Sequence, residues 1–328
     1  MHQAALVVNN LNQSIAQDIK ICVPRLTINS GRRVALLGLN GAGKTSLIKL
    51  LIGEFQSPNS CIQYPQFEAL KHSLSNTDLA FKQRLGYQSD TMLSLLDLTG
   101  DEYLKLCASL KQIDDKQLLE AMSLIEQNWQ IQHLLHKKMR HLSKGNLQKL
   151  AIAQVFINQP DYLFFDEPCQ SLDPLEQENF NQLLRSIEDF ELCFFSTHNV
   201  DHALAVANDI ILFHQFKMVF HFSLSSASET ESQAEKYLLV TTLAVGQISE
   251  LEQEFKLSIR VIEQQVLSID GLTQKTLDKF LEAIKKQCPV KLFKPHKQCI
   301  LPFFRMIASG ELNLTRDGSK GISINAAS

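Results

Sequence analysis

Short apolar runs alternate with helix-period segments over the first two thirds of the chain. The run 34–37 ends in a glycine-rich turn, and residues 45–52 then carry apolar side chains at helical spacing, which predicts a strand, a turn and a helix. Residues 162–165 and 193–195 are further buried-strand candidates, so we expect parallel strands joined by helical crossovers. The pattern of residues 97–140 predicts a helical insert within this α/β domain.

A polar stretch, residues 223–235, divides the chain. The remainder repeats the alternation on a smaller scale, with strands expected at 236–244, 259–269 and 290–293 and helices between them, which predicts a small two-layer α/β (α+β) domain. We therefore predict the following organisation: a first domain at 1–222 with a helical subdomain at about 89–150, a linker at 223–235, an accessory domain at 236–312 and a flexible tail at 313–328.

Composition and charge are those of an ordinary soluble globular protein. Of the 328 residues, 45 % are hydrophobic and 20 % charged, and 32 basic against 35 acidic side chains give a net charge of −3. This balance argues against a nucleic-acid binder driven by overall charge. No apolar run reaches the length of a membrane helix, and no signal peptide is visible, so we expect a cytoplasmic chain. The seven cysteines are scattered without a C-x-x-C pair, and we expect reduced, buried thiols.

Residues 38–45, with the sequence GLNGAGKT, fit the phosphate-loop pattern G-x-x-x-x-G-K-[ST]. Glycines allow the backbone N–H groups to turn inward around an anion, and the following helix adds its positive N-terminal end. Lys44 is expected to contact the β- and γ-phosphates, and the Thr45 hydroxyl to ligate Mg²⁺. The alternative, a plain glycine turn, does not account for the position between a predicted strand and a predicted helix.

Asp166 and Glu167 follow the apolar run 162–165. Acidic residues end many buried strands, so this pair alone is a weak signal. Beside a phosphate loop it gains a function, because the carboxyl ends of parallel strands meet at one sheet edge. Asp166 is expected to hold Mg²⁺, and Glu167 to take a proton from an attacking water molecule.

Leu142-Ser143-Lys144-Gly145-Asn146 precedes another helix-period stretch. In isolation this segment is simply a serine N-cap. Placed before Asp166 in a chain with a phosphate loop, it resembles the signature motif of ABC-type ATPases, in the LSKG form found among ATP-binding subunits of exporters. The resemblance covers about residues 5–222.

Further positions agree with this resemblance. Gln88 resembles the glutamine loop, which in the family senses Mg²⁺ and the membrane partner. Asp173, in Ser171-Leu172-Asp173, resembles the D-loop, and His198 resembles the switch histidine that contacts the γ-phosphate. The resemblance implies nucleotide contacts along the whole phosphate loop and at the signature, with a metal set of Thr45, Gln88 and Asp166 and with Glu167 and His198 as catalytic residues. The implied nucleotide-binding residues are Gly38, Asn40, Gly41, Ala42, Gly43, Lys44, Thr45, Ser46, Gln88, Ser143, Gly145 and Asp173.

The family resemblance also implies a mode of action. Two ATPase domains close head to tail around two ATP molecules, so that each signature binds the γ-phosphate held by the other subunit. The chain is accordingly expected to be the ATP-hydrolysing subunit of an ABC transporter of the exporter type, with ATP and Mg²⁺ as cofactors. It is expected to act as a homodimer, or paired with another ATPase subunit, on the inner face of the cytoplasmic membrane. Its permease is expected to be encoded separately and to dock near residues 93–110.

Several features depart from the family pattern or leave alternatives. The family usually stacks adenine on an aromatic residue near the first strand, but residues 1–54 contain none, so Ile15 or a neighbour is expected to pack against the base. A soluble ABC ATPase acting on DNA or ribosomes, with no permease, is the main alternative function, and a small-molecule kinase is another. The accessory domain has three open roles: regulation, bracing of a dimer, or contact with a partner.

Overall fold

The computed structural model of the chain describes residues 3–16, 19–57, 61–65, 78–89, 95–224, 235–241, 243, 245–263 and 266–312. The chain forms two compact units, residues 1–226 and 227–328, and their division falls within the predicted linker. Most of that linker, the tail 313–328 and residues 93 and 94 of the expected docking segment lie outside the described residues. No helix among the described residues is both long and apolar enough to cross a membrane.

The first unit combines a curved sheet with helices. Its strands are β1 (Ala4–Ala16), β2 (Ile19–Asn29), β3 (Arg32–Leu37), β4 (Ile62–Gln63), β5 (Leu85–Gln88), β6 (Tyr162–Phe165), β7 (Leu192–Thr197), β8 (Asp209–His214) and β9 (Lys217–Ser223). Its helices are α1 (Lys44–Leu51), α2 (Leu79–Gln83), α3 (Gly100–Leu110), α4 (Asp115–Trp129), α5 (Gln132–Leu135), α6 (Lys144–Ala153), α7 (Pro174–Ser186) and α8 (Val200–Val206).

The described strands of this unit form one sheet in the order β4-β1-β2-β9-β8-β3-β7-β6-β5. The pairs β3–β7, β3–β8, β6–β7 and β5–β6 are parallel, which confirms the predicted parallel strands. The predicted strand, turn and helix are β3, the glycine loop and α1. Because β3, β6 and β7 run in the same direction, the segments that follow them emerge at one edge of the sheet.

The antiparallel part of this sheet was not predicted from the sequence. In it, β1 and β2 form a hairpin and β9 pairs with β8. Strands β3 and β6 are buried over most of their length on both faces, so they read as continuous apolar runs, whereas β1 alternates between buried and exposed positions. The helical insert is present as α3 to α5. Its first two helices each begin with a capping box, at Thr99 and Asp114, which satisfies backbone N–H groups at the helix start.

The second unit contains a four-stranded antiparallel sheet, β11-β12-β10-β13. Two corrections apply to the predicted strand-helix-strand-helix-strand order. The stretch predicted as one strand at 259–269 is a hairpin of two strands, and a further helix, α11, follows the last strand. The elements are β10 (Glu235–Thr241), α9 (Val245–Phe255), β11 (Ser258–Glu263), β12 (Val266–Leu272), α10 (Gln274–Gln287), β13 (Val290–Pro295) and α11 (His296–Ala308).

This β-α-β-β-α-β order with a 2-3-1-4 strand arrangement is ferredoxin-like. One sheet face shares a core with α9 and α10, formed by residues such as Leu239, Ile269 and Phe280. Helix α11 packs against β10 and β13, where the alternate residues Leu238 and Val240 are also buried. Because adjacent strand residues point to opposite faces, α11 adds a third layer to the predicted two.

Candidate functional site

The glycine loop between β3 and α1 forms the centre of the candidate site. Gly41 and Gly43 have φ angles of 76° and 97°, in the left-handed region that favours glycine. A Cβ atom on Gly38 would stand 2.4 Å from the carbonyl oxygen of Phe213, so only glycine fits there. The loop thus holds its backbone next to the N-terminus of α1, where N–H groups and the helix dipole attract an anion.

Lys44, at the start of α1, is 6 % exposed. Its Nζ donates hydrogen bonds to the carbonyl oxygens of Gly38 at 2.8 Å and Leu39 at 3.1 Å. The same atom lies 2.8 Å from Oε1 of Glu167. The ammonium group is therefore held over the loop by one carboxylate and two carbonyl oxygens.

Glu167 connects Lys44 to His198. Its Oε2 lies 3.1 Å from Nδ1 of His198. A carboxylate only accepts hydrogen bonds, so Nδ1 is the protonated nitrogen in this pair. Glu167 also has a φ of 47°, an uncommon conformation for a non-glycine residue, and such strain concentrates at functional sites. The structure thus brings together Lys44, Glu167 and His198 from the ends of three neighbouring strands.

Ser196, for which the sequence predicted no role, forms hydrogen bonds to both acidic residues. Its Oγ donates to Oδ1 of Asp166 at 2.6 Å and accepts from the backbone N–H of Glu167 at 2.8 Å. Asp166 and Ser196 are fully buried. One signal for a role of Ser196 was available in the sequence: it is a polar residue near the buried end of β7, next to β6, the strand that Asp166 follows.

The residues predicted to hold Mg²⁺ supply oxygen atoms, the ligand type that this ion prefers. The Nε2 atom of Gln88 donates to the carbonyl oxygen of Asp166 at 3.2 Å, which places these two residues side by side. The Oε1 atom of Gln88 is buried and accepts no hydrogen bond from the described residues, so it remains available as a ligand. Thr45 follows Lys44 on α1 and is half-buried. This donor set fits the ion.

The signature segment lies against the D-loop segment. Ser143 is the N-cap of α6 and accepts a hydrogen bond from the N–H of Asn146 at 3.2 Å, so its capping role is confirmed. A Cβ on Gly145 would stand 2.8 Å from the carbonyl oxygen of Ser171. Asp173 is the N-cap of α7 and accepts from the N–H of Glu176 at 2.9 Å. Ser143 and Asp173 are both exposed, as contact with another molecule requires.

The remaining loop positions line the same turn. Asn40 and Gly41 are exposed, Ala42 is buried, and Thr45 and Ser46 are half-buried at the start of α1. No group of three or more His, Cys, Asp or Glu side chains suited to a metal occurs among the described residues. The site offers one hydroxyl, one amide and one carboxylate. Such a set suits an ion that also binds phosphate oxygens, rather than a metal held by the protein alone.

Comparisons with known proteins agree on one family. A family model described as ABC transporter matches residues 23–170, which include the glycine loop, Gln88, the signature segment and Glu167. A zinc import ATP-binding protein of Aliivibrio fischeri is 30 % identical over 217 residues, or 65 % of this chain and 74 % of that protein. An uncharacterised ABC transporter ATP-binding protein of a Nostoc species is 28 % identical over 299 residues, or 84 % of this chain and 86 % of the relative.

Solved structures show the same fold. The ATP-binding subunit of an ABC transporter matches 85 % of this chain and 99 % of its own, with a TM-score of 0.58 at 20 % identity. A dimeric ATP-binding cassette in a post-hydrolysis state, bound to ADP and Pi, matches 67 % of this chain and 99 % of its own, with a TM-score of 0.57 at 19 % identity.

Proposed function

Because the chain belongs to the ATP-binding proteins of ABC transporters, a family of ATPases, we propose that it drives an exporter whose permease is a separate chain. In this proposal two ATP-loaded copies, or one copy and a related ATPase subunit, close head to tail around the nucleotides. The observation that carries the proposal is the cluster of Lys44, Glu167 and His198 beside a glycine loop.

The glycine loop and Lys44 bind the phosphates of ATP. Lys44 is an ammonium donor at the loop, and its present acceptors are two carbonyl oxygens and Glu167. A bound phosphate offers stronger, charge-assisted acceptors at the same place. Phosphate binding therefore draws Lys44 away from Glu167 and leaves that carboxylate available for chemistry.

Glu167 acts as the general base for the attacking water molecule, and His198 contacts the γ-phosphate. The carboxylate is 14 % exposed, so it reaches solvent while its backbone is fixed by Ser196. His198 is about half exposed, and its Nδ1–H donates to Glu167. This hydrogen bond orients the imidazole, so that Nε2 is directed away from the carboxylate.

Thr45, Gln88 and Asp166 hold Mg²⁺ together with the phosphates. The ion neutralises charge on the phosphate oxygens when it is bound. Asp166 is fixed by the hydroxyl of Ser196, and Gln88 by its bond to the backbone of Asp166. These contacts keep both side chains oriented before the ion arrives.

The signature segment acts on the ATP of the other subunit. The N-terminus of α6 presents N–H groups and a helix dipole, which favour a γ-phosphate, but it carries no phosphate loop of its own. Ser143, at its tip, is exposed. Leu175, two residues after Asp173, is 71 % exposed, and a second copy would cover it. These features support an interface that forms only with ATP present.

The permease docks on the helical insert, which places the chain on the inner face of the cytoplasmic membrane. Three leucines of this region are partly or largely exposed, with Leu96 at 44 %, Leu106 at 36 % and Leu110 at 77 %. Apolar side chains of this size on a surface are typical of a partner contact. Co-purification of a polytopic membrane protein with the wild type, weakened by L106E/L110E, tests this docking surface.

The proposal that the chain drives export is based on the LSKG sequence of residues 142–145. The Aliivibrio fischeri relative is named for zinc import, so membership of the family does not by itself fix the direction. Uptake and efflux measured in the same cells, with the chain and its permease expressed together, separate export from import.

The catalytic assignment predicts that E167Q binds ATP but loses hydrolysis. General-base catalysis contributes at least about 100-fold, so steady-state MgATP turnover is expected to fall by that factor while ATP affinity is retained. K44A, in contrast, is expected to weaken ATP binding itself. Turnover by phosphate release and affinity by calorimetry measure the two effects.

E188Q is the matched control, because Glu188 is an exposed residue after α7. It is expected to hydrolyse ATP at the wild-type rate. Wild-type turnover in E167Q would show that another group activates the water molecule, and the assignment would be abandoned.

A further inference from the structure

The turn between β8 and β9 contains a phenylalanine in an unusual conformation. Gln215 and Phe216 form a two-residue turn with φ angles of 46° and 63°. Such turns favour Asn-Gly, because both central residues have positive φ. A bulky residue with a positive φ is a genuine outlier. Such residues persist only where the surrounding contacts hold them in place, and they concentrate at functional sites.

Phe216 is held against the phosphate loop. Its N–H donates to the carbonyl oxygen of Ala42 at 2.8 Å, and its own carbonyl oxygen accepts from the N–H of Cys22 at 2.9 Å. A Cβ on Gly43 would stand 2.3 Å from Cδ1 and 2.9 Å from Cε1 of the ring. The phenyl ring therefore lies directly on Gly43, in space that this glycine leaves open.

The topology decides which part of a nucleotide comes near this ring. Glu167 and His198 follow β6 and β7, which lie on one side of β3, whereas β8, β9 and β2 lie on the other. A triphosphate with its terminal phosphate beside Glu167 and His198 must extend its nucleoside toward the opposite side. The turn with Phe216 is on that side, next to the loop.

A nucleobase needs an apolar or aromatic surface there. The described part of the nearby β1–β2 hairpin offers the aliphatic side chains of Ile15 and Ile19, and residues 1–54 include no Phe, Tyr or Trp. Phe216 is half-buried and packs against the core of the first unit, so part of its ring stays accessible. Aromatic rings stack on every base, because each base has a π-face.

From these contacts we infer that Phe216 is the residue on which the base of bound ATP stacks. The inference rests on the proposed ATP site and deepens it. The ring has no hydrogen-bonding group, so it contributes affinity without distinguishing adenine from guanine. ATP and GTP are therefore expected to bind the wild type with affinities within a few-fold of each other.

The test separates the base from the phosphates. ATP, GTP and tripolyphosphate, each with Mg²⁺, are titrated into the full-length wild type and the variants F216L and F216A. Loss of one aromatic stack is expected to weaken ATP and GTP binding about tenfold, while tripolyphosphate affinity changes less than twofold. F220L is the matched control, because Phe220 lies on β9, the strand that follows the turn, and packs against Phe222, and F220L is expected to bind all three ligands like the wild type.

F216W gives a second readout that depends on an intact fold. The only tryptophan of the wild type, Trp129, is buried, so new fluorescence that ATP quenches and tripolyphosphate does not would support stacking. Equal loss of ATP and tripolyphosphate affinity in F216L would mean that the ring only supports the loop. Unchanged ATP affinity in F216L would equally overturn the inference. A wild type that binds neither ligand would instead refute the proposed function.

Discussion

At the scale of single residues, His202 is a buried imidazole directly behind the candidate site. Its Nδ1 lies 3.3 Å from Oγ1 of Thr197, and its Nε2 lies 3.6 Å from Sγ of Cys169. Burial lowers the pKa of His202 to about 4; the Glu167 carboxylate opposes this shift, and His198 adds to it. The folded protein therefore keeps this ring neutral at pH 7.

His202 makes the stability of the fold depend on pH. The folded pKa is below the unfolded value of about 6.5, so the contribution is complete above that pH and is lost as the pH falls toward 4. Between pH 7 and pH 4 we expect the wild type to lose on the order of 2–3 kcal/mol more free energy of unfolding than H202Q. Urea unfolding at several pH values measures this difference, and equal losses in the two proteins would refute the assignment.

The sequence placed most of the site because its residues follow recognisable strands. Lys44, Glu167 and His198 lie far apart in the chain, yet each lies in the segment that follows a buried apolar strand, and parallel strands bring such segments together. Ser196 and Phe216 were not assigned a role. The only signal for Ser196 was its polarity at the end of an otherwise apolar strand, which does not identify its hydrogen-bond partners. Phe216 acts through a turn whose sequence lacks the usual Asn-Gly signal.

Among the elements of the first unit, a partly buried ion pair joins the signature helix α6 to the D-loop helix α7. Nζ of Lys149 lies 3.0 Å from the carboxylate of Glu176 and 5.2 Å from the ring centroid of Trp129. Trp129, at the end of α4, donates from Nε1 to the carbonyl oxygen of Lys149 at 2.9 Å. This contact fixes the spacing between Ser143 and Asp173, which begin the two helices.

Breaking the ion pair is expected to impair turnover more than ATP binding. K149M leaves the phosphate loop untouched but frees α6 from α7, and small misplacements of site residues are costly in rate. We expect MgATP turnover to fall about tenfold while ATP affinity stays within a factor of two. E176Q is expected to act similarly. Since both variants break one interaction, the double variant should be less impaired than the two effects combined. Independent, multiplicative losses would contradict this coupling.

The helical insert and the parallel strands were predictable from the spacing of apolar residues alone. In the second unit, the division into β11 and β12 and the helix α11 were not. Residues 262–265 contain no glycine or proline, so the sequence of β11 and β12 reads as one strand. Helix α11 contains Pro302, which normally argues against a helix interior. Burial of Ile300, Phe303 and Ile307 stabilises α11 despite that proline.

For the whole molecule, we propose that the chain acts as one half of an ATP-dependent pair. The first unit holds the phosphate loop, Glu167 and His198 together, while Ser143 and Asp173 are exposed. A γ-phosphate bound at one loop offers charge-assisted hydrogen bonds to the signature of a second copy. ADP lacks this phosphate, so in this proposal hydrolysis removes those bonds and the pair separates.

The mass of E167Q in solution, measured by sedimentation velocity, tests ATP-dependent pairing most directly. With MgATP, which E167Q binds but does not hydrolyse, we predict a species of twice the 37.1 kDa chain. With MgADP, and for K44A with either nucleotide, we predict the single chain. A single-chain mass for E167Q saturated with MgATP, or an equal dimer with MgADP, would contradict ATP-dependent closure.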